Sequence, residues 1–272
     1  MTVEELLIFA KQHIHSDHAK ILLAELLNKD SLELLMHLND IVDSELVDKY
    51  KKEVLAMEQG KPLQYALGNV CFYGYNFYVD ERVLIPRFET EELVENTVKI
   101  AEKLFTQPVD IIDLGTGSGV LGLTLEKELS TNSVDLVDIS KEALEVANKN
   151  CENLNSKAQL INNNMLTNIN KKYDIIISNP PYISYDEEIE DIVKNNEPHQ
   201  ALYADNNGLY FYEEILKNIE KCTKEKYLIA FEIGYKQKDA IIDIINKYLK
   251  DVEIYPKKDL QGRDRMIFII KK

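Results

Sequence analysis

Asp113-Leu-Gly115-Thr-Gly117-Ser-Gly119 closes a predicted strand over Val109–Ile112 and leads into a helical pattern that begins at Val120. Glycines let the backbone turn sharply and approach a ligand without interference from a Cβ atom. At such a strand-to-helix turn of an α/β sheet, ligands bind outside the carboxyl end of the strand. The segment therefore predicts a ligand-binding glycine loop in a Rossmann-like sheet.

Two ligand classes fit this loop. Gly117, Gly119 and Gly122 satisfy the GxGxxG pattern of nicotinamide dinucleotide sites, but that pattern alone is weak evidence. S-adenosylmethionine is favoured because Gly115 follows the strand directly, two residues after an acid. The next predicted strand also ends in Asp138, whose carboxylate can accept hydrogen bonds from both ribose hydroxyls. Without a ligand, the glycines would form a plain tight turn and Asp138 would cap a helix.

The sequence around the loop alternates between strand and helix patterns. Strands are predicted over Val109–Leu114, Ser133–Val137, Gln159–Asn162, Tyr173–Ser178, Tyr227–Ile233, Val252–Tyr255 and Met266–Ile270. Helices are predicted over Glu91–Phe105, Val120–Leu129, Lys141–Leu154, Gly208–Cys222 and Gln237–Leu249. Such alternation indicates a doubly wound, mostly parallel sheet of seven strands. The last two strands lack an intervening helix, which allows an antiparallel edge strand.

The N-terminal part has a different pattern. Thr2 with Glu5, and Asp30 with Glu33, fit capping boxes, Ser16 can cap a second helix, and a fourth helix is predicted from about Ser44 to Met57. Four short helices indicate a small bundle. The aromatic stretch Val70–Val79, with Gly74 and Asn76 available for a turn, predicts a β-hairpin. We therefore expect a bundle over residues 1–68, a hairpin linker over 69–86 and an α/β domain over 87–272.

A second motif, Asn179-Pro180-Pro181-Tyr182, directly follows the fourth predicted strand. Prolines cannot donate to a sheet ladder, so the strand ends there, and the Asn179 side chain and Pro180 carbonyl remain as a rigid pair of acceptors. Two acceptors can hold both N–H groups of a planar amide or amine and aim its lone pair at an electrophile. An ordinary loop would also fit, since Asn-Pro is common in turns.

Together these residues resemble class I methyltransferases that carry an NPPY motif, a group of adenine amino-methyltransferases and protein glutamine methyltransferases. Four further segments resemble the release factor glutamine methyltransferase family over nearly the whole chain. They are Pro62-Leu-Gln-Tyr65 with Gly68, Leu84-Ile-Pro-Arg-Phe-Glu-Thr-Glu91, Glu197-Pro198 with Ala201-Leu202, and Asp259-Leu260 with Gly262 and Arg265. The Pro-Arg-x-Glu-Thr-Glu segment distinguishes this family from ribosomal-protein glutamine methyltransferases.

The resemblance implies a reaction and its residues. The reaction is methyl transfer from S-adenosylmethionine, leaving S-adenosylhomocysteine, to the glutamine of the GGQ motif in bacterial class I peptide chain release factors. Implied cofactor-binding residues are Asp113, Gly115, Thr116, Gly117, Ser118, Gly119, Asp138, Asn164, Met165 and Asn179. Implied catalytic and substrate-binding residues are Asn179, Pro180, Pro181 and Tyr182, with Glu197 in a loop beside the substrate. The N-terminal bundle corresponds to the family's substrate-recruiting domain.

Two positions depart from the family pattern. Asn164-Met165 stand where the family often has an acid followed by an aromatic residue around the adenine. Asn164 can still accept a hydrogen bond from the adenine amino group, and Met165 can still pack on the ring. Phe88 replaces the usual second proline of the Pro-Arg-Pro segment.

Composition limits the competing functions. The formal net charge of -15 over 272 residues opposes direct binding to a nucleic-acid backbone, which weighs against an adenine amino-methyltransferase of DNA or RNA. Composition does not separate the leading function from a ribosomal-protein glutamine methyltransferase or a non-enzymatic adaptor. The acidic start and the absence of any apolar run near the ~20 residues of a membrane span predict a cytoplasmic protein without a membrane partner.

Cysteine and histidine do not suggest further sites. The three cysteines form no CxxC pair, so neither a disulfide framework nor a zinc site is predicted. The triplet His13, His15 and His18 falls between two predicted helices, where a solvated turn is favoured over a metal site. We expect no metal and a monomeric protein.

Overall fold

A computed structural model describes residues 1–272 and divides the chain into two compact units. The helical unit comprises Met1–Val70 and Ile189–Asn196, and the α/β unit comprises Cys71–Glu188 and Glu197–Lys272. Each unit has its own cluster of buried apolar side chains. No helix in either unit is long and apolar enough to cross a lipid bilayer.

The helical unit contains six short helices. They are α1 (Val3–Ala10), α2 (Ser16–Leu26), α3 (Ser31–Met36), α4 (Ser44–Glu58), α5 (Leu63–Leu67) and α9 (Asp191–Asn196). The capping box of Thr2 and Glu5 is present, and Asp30 caps α3. The prediction that Ser16 is the N-cap of α2 was wrong. Ser16 is the first residue of the helix, and His15 is its N-cap. Helix α5, between Pro62 and Gly68, was not predicted.

A β-hairpin follows the first helices. Its strands are β1 (Asn69–Phe72) and β2 (Tyr75–Tyr78). The turn lies at Tyr73-Gly74, where both residues have positive φ angles of 51° and 81°. The predicted use of Asn76 in the turn was wrong, because a two-residue turn leaves Asn76 within β2.

The α/β unit is built on a seven-stranded sheet, which confirms the predicted fold class. The strands are β3 (Val109–Leu114), β4 (Thr131–Asp138), β5 (Gln159–Asn162), β6 (Tyr173–Ser178), β7 (Thr223–Glu232), β8 (Glu253–Lys258) and β9 (Asp264–Lys271). Their order is β5-β4-β3-β6-β7-β9-β8, and β9 runs antiparallel to both of its neighbours. The sequence allowed an antiparallel strand at the edge of the sheet. Strand β9 is antiparallel, but it lies between β7 and β8, and β8 is the edge strand.

Helices connect the strands of this unit. They are α6 (Phe88–Leu104), α7 (Val120–Glu128), α8 (Lys141–Asn153), α10 (His199–Leu202), α11 (Tyr210–Asn218) and α12 (Lys238–Tyr248), with a 3-10 turn at Ile219–Lys221. Because the central strands are buried on both faces, β6 contains three consecutive buried isoleucines, Ile175, Ile176 and Ile177. Helix α10 was not predicted, and it lies in the segment between β6 and β7 that also carries Glu197.

Candidate active site

The candidate site lies where the strand order reverses. The chain proceeds from β3 to β4 and β5 on one side, and then to β6 and β7 on the other. Ligands of open α/β sheets bind at such a switch point, outside the carboxyl ends of the strands. Leu114 of β3 pairs with Ser178 of β6, and the Ser178 hydroxyl donates a 2.6 Å hydrogen bond to the Leu114 carbonyl. This register brings Gly115 and Asn179 to the same edge.

The buried carboxylate of Asp113 fixes the glycine loop by hydrogen bonds to the loop itself and to the first turn of α7. One carboxylate oxygen, Oδ2, accepts hydrogen bonds from the Thr116 hydroxyl at 2.6 Å and from the Gly122 amide at 3.0 Å. The other oxygen, Oδ1, is buried without a hydrogen-bond partner. Burial, only partly offset by these hydrogen bonds, raises the pKa of Asp113 from 3.8 to about 7. Asp113 therefore supports the loop and does not face the cavity above it.

Gly117 occupies the part of the loop where a side chain would project into open space. Its φ is 54°, and a Cβ built on it would meet no atom within 4 Å. Its amide donates a 2.9 Å hydrogen bond to Asp138 Oδ2, while the Ser140 amide donates to Oδ1 at 2.9 Å. A carboxylate has about four lone-pair positions, so Asp138 retains capacity for further donors. Burial raises the pKa of Asp138, although hydrogen bonds from the backbone amides of Ser140, Gly117 and Ile139 lower it.

A cavity of about 570 Å³ lies over this edge of the sheet. Its volume falls within the range of about 300–1,000 Å³ that is typical of small-molecule sites. Its walls contain residues from both motifs identified in the sequence. Those predicted site residues are Gly115, Thr116, Gly117, Ser118, Asp138, Asn164, Met165, Asn179 and Pro181.

Five predicted site residues do not line the cavity. Asp113 is buried beneath the glycine loop, and Gly119 is the N-cap of α7. Pro180 is buried, Tyr182 packs against the core of the α/β unit, and Glu197 is buried beside Arg87. Each of these five residues lies next to, or is hydrogen-bonded to, a segment that lines the cavity.

The cavity also includes residues that the sequence interpretation missed. Val83, Leu84, Ile139, Leu121 and Phe211 supply apolar surface, and Asn163 supplies a polar side chain. Ile139 could have been found, since it follows the acid at the end of β4. Val83 and Phe211 carry no local signal, because they reach the cavity from segments far away in the sequence.

Asn179 presents a side-chain amide to this cavity. It follows Ser178, the last residue of β6, and no other residue of the chain forms a hydrogen bond with its side chain. The two prolines that follow restrict the backbone at this strand end. Asn179 therefore offers a carbonyl oxygen to a donor in the cavity without first breaking an internal hydrogen bond.

Glu197 forms a partly buried ion pair with Arg87. The Arg87 guanidinium donates to one carboxylate oxygen, and the Ile85 amide donates to the other at 3.2 Å. The Glu197 side chain is only 2% exposed, whereas that of Arg87 is 36% exposed. Glu197 thus fastens the segment that begins at Leu84 to the segment that carries Pro198, and both segments line the cavity.

Comparison with known proteins identifies the family. Residues 7–68 match the model of the PrmC N-terminal domain, and residues 88–201 match that of the methyltransferase small domain. The release factor glutamine methyltransferase of Bacillus subtilis is 38% identical over 256 residues, covering 92% of this chain and 89% of that protein. The chain belongs to the release factor glutamine methyltransferase family. The Streptococcus pneumoniae member is 44% identical over 211 residues, covering 77% of this chain and 75% of its own length.

Solved structures share the fold at lower identity. Ribosomal protein L11 methylase from Lactobacillus delbrueckii has a TM-score of 0.52 at 20% identity, covering 68% of this chain and 80% of that one. The Thermus thermophilus 16S rRNA N2 G1207 methyltransferase, in complex with AdoMet and guanosine, has a TM-score of 0.53 at 15% identity, covering 75% and 50%. Membership of the family makes this chain a methyltransferase and sets aside the dehydrogenase interpretation of the glycine loop.

Proposed function

We propose that this protein transfers a methyl group from S-adenosylmethionine to the side-chain amide nitrogen of the GGQ glutamine in bacterial class I release factors. One observation supports this most directly: a single cavity is lined both by the glycine loop with Asp138 and by Asn179 with Pro181. A cofactor segment and an amide-binding segment thus meet in one space. The names of the family's members supply the class of protein substrate.

The cavity walls fit S-adenosylmethionine. Open space above Gly117 admits the methionine end of the cofactor, and the remaining acceptor capacity of Asp138 suits the ribose hydroxyls. Asn164 and Met165 also line the cavity, and they would supply the adenine with a hydrogen-bond acceptor and an apolar surface. When bound, the cofactor supplies an electrophilic methyl group on a sulfonium sulfur.

The protein's own part in the reaction is orientation. An amide nitrogen is a poor nucleophile because its lone pair is delocalised into the carbonyl group. The Asn179 side chain and the Pro180 carbonyl can each accept an N–H of the glutamine amide, which fixes the nitrogen and its lone pair. These acceptors bind more strongly as positive charge develops on the nitrogen. A strong general base is unnecessary, since the methylated nitrogen becomes far more acidic.

The wider organisation follows from the same proposal. The helical bundle of residues 1–68 would recruit the protein substrate. The hairpin of residues 69–86 would link this bundle to the methyltransferase domain of residues 87–272, which would carry out the reaction. Glu197 would shape the substrate side of the cavity through its pair with Arg87. Tyr182 would support the loop from the core side, where its ring packs.

The test is transfer of labelled methyl from S-adenosylmethionine to a purified bacterial class I release factor. Three other acceptors run in parallel: the same factor with the GGQ glutamine changed to alanine, a ribosomal protein, and duplex DNA. We expect label only on the intact release factor. Label on the ribosomal protein or DNA would retain the cofactor site and overturn the substrate, and no label on any acceptor would favour the non-enzymatic adaptor.

A further inference from the structure

Tyr182, the last residue of the Asn179-Pro-Pro-Tyr loop, is held at both of its polar ends. Gln237 Nε2 donates a 2.8 Å hydrogen bond to the Tyr182 backbone carbonyl. The Arg265 guanidinium donates to the Tyr182 hydroxyl at 3.4 Å, the weaker of the two contacts. Because Tyr182 packs against the core while Asn179 and Pro181 face the cavity, these contacts fix the loop from behind.

Gln237 is itself fixed by three segments. Its Oε1 accepts a hydrogen bond from the Gly234 amide at 3.0 Å, and its Nε2 also donates to the Asn207 carbonyl at 3.1 Å. The next residue, Gly208, has a φ of 79°, and a Cβ there would lie 1.9 Å from the Tyr182 carbonyl oxygen. Only glycine can occupy this position, so the backbone around the Tyr182 carbonyl is tightly constrained.

Arg265 is anchored by the turn between β8 and β9. Its Nε donates to Asp259 Oδ2 at 3.3 Å, and its Nη1 also contacts the Ile233 carbonyl at 3.4 Å. The Asp259 side chain is 1% exposed and that of Arg265 is 12% exposed. Both residues belong to the Asp259-Leu260 segment with Gly262 and Arg265, for which the proposed reaction assigns no role. The pair lies behind Tyr182 and does not line the cavity.

We propose that Gln237 and the Asp259–Arg265 pair are positioning residues for methyl transfer, which they control by fixing the catalytic loop through Tyr182. We call these three residues the Tyr182 clamp. The inference rests on the proposed function, since the loop must orient an amide nitrogen. Small displacements of an orienting group lower the rate of the chemical step strongly. Loss of the clamp therefore lowers kcat and leaves cofactor binding intact.

The test compares five variants of the full-length protein with the wild type, together with a double variant. Arg265→Met, Tyr182→Phe and their double variant form a cycle that isolates the guanidinium–hydroxyl contact. Gln237→Leu removes the contact to the carbonyl. Arg263→Met is the matched control for Arg265, because Arg263 is exposed on the same hairpin, and Gln159→Leu is the control for Gln237, because Gln159 is exposed on β5.

Four quantities are measured for each variant: kcat with a release factor, KM for that factor, cofactor Kd by calorimetry, and hydrogen exchange of residues 178–185. We expect kcat to fall about tenfold in Arg265→Met and Gln237→Leu, and about threefold in Tyr182→Phe. The double variant should be no slower than Arg265→Met, because both substitutions remove the same contact between the Arg265 guanidinium and the Tyr182 hydroxyl. KM and cofactor Kd should stay within about twofold, exchange of the loop should accelerate, and both controls should match the wild type.

Several results would overturn the clamp. They are an unchanged kcat in Gln237→Leu and Tyr182→Phe, additive effects in the cycle, or a loss of cofactor affinity as large as the loss of kcat. If Arg265→Met does not fold, Tyr182→Phe and Gln237→Leu decide, since Tyr182→Phe keeps the Asp259–Arg265 pair. If the wild type labels no release factor, the proposed function fails, and loop exchange in Gln237→Leu against Gln159→Leu still decides whether the clamp exists.

Discussion

At the scale of single residues, Asn179 is the group on which the proposed chemistry depends. Its side chain lines the cavity and forms no hydrogen bond within the protein. We predict that Asn179→Ala lowers kcat/KM by about 100-fold or more, the usual effect of removing one preorganised polar group at a reacting centre. Cofactor Kd, measured by calorimetry, should change less than about threefold.

The matched control for this substitution is Asn132→Ala. Asn132 is exposed at the start of β4, at the opposite end of the sheet, and donates only to the Pro108 carbonyl. Its kinetics should equal those of the wild type. Equal losses of transfer and of cofactor binding in Asn179→Ala would contradict the division of roles between Asn179 and the glycine loop.

Glu232 is a buried acid for which the proposed reaction has no use. Burial raises its pKa from 4.5 to about 7, although the Thr90 hydroxyl donates a 2.7 Å hydrogen bond to it and Arg265 lies nearby. A raised carboxyl pKa means that the folded state binds the proton more tightly than the unfolded state. The resulting stability is present below the unfolded pKa and is lost as the pH rises through the folded pKa.

We therefore predict that Glu232→Gln is more stable relative to the wild type at pH 8 than at pH 4.5. A pKa change from 4.5 to about 7 corresponds to about 3 kcal/mol of unfolding free energy. Urea unfolding at both pH values measures the difference. Asp113, whose pKa is also raised, contributes equally in both proteins, so its contribution cancels in the difference. Glu225→Gln, an exposed acid on the same strand, should show no such pH-dependent gain. A constant difference between Glu232→Gln and the wild type would contradict the prediction.

At the scale of elements, Lys224 ties three strands together at the sheet end opposite the site. From β7, its ammonium donates to Asp110 of β3 and Asp174 of β6, each at 2.6 Å. Burial alone would raise the pKa of Asp110, but hydrogen bonds from Lys224 and Ser133 outweigh it and hold the pKa below 3.8. This contribution to stability is present above the unfolded pKa and is lost as the pH falls through the folded value.

We predict that Lys224→Met lowers the free energy of unfolding by about 1–2 kcal/mol at pH 7, because it leaves two partly buried carboxylates without their cation. The Lys224 side chain is 36% exposed, so solvent screening keeps the effect moderate. Urea unfolding gives the value, and the difference from the wild type should shrink at acid pH. Lys226→Met, exposed on the same strand, is the control. A change in cofactor Kd would contradict a purely structural role.

At the scale of the whole molecule, the two units divide the proposed work. Every residue that lines the cavity belongs to the α/β unit, and the helical unit has a separate apolar core. We predict that a chain of residues 69–272, which keeps strand β1 whole, retains cofactor Kd within about threefold but has a KM for release factor raised about tenfold or more. This size is what the loss of a recruiting contact worth about 1.4 kcal/mol would produce.

A cooperative thermal melt must first show that this truncated chain is folded. Calorimetry with the cofactor and steady-state kinetics with a release factor then provide the comparison with the full-length protein. An unchanged KM would contradict the recruiting role of the N-terminal bundle. Loss of cofactor binding by a folded truncated chain would contradict the assignment of the cavity to the α/β unit alone.

The sequence by itself determined the features that depend on neighbouring residues. Glycines after β3, prolines after β6 and the strand–helix alternation predicted the seven-stranded sheet and the two loops that meet at its switch point. The capping box at Thr2 and Glu5 was equally readable. These signals are local, because a turn, a cap or a strand end is set by the conformational preferences of a few adjacent residues.

Only the tertiary structure decided which distant residues support the site. Gln237 and Arg265 contact Tyr182 across 55 and 83 residues of sequence, and Arg87 pairs with Glu197 across 110. Strand β9 lies between β7 and β8, and Ile189–Asn196 joins the helical unit. Such pairings depend on how whole elements pack, and no periodicity or spacing within one segment encodes them. The local sequence therefore specified the two loops, whereas long-range packing specified what holds them in place.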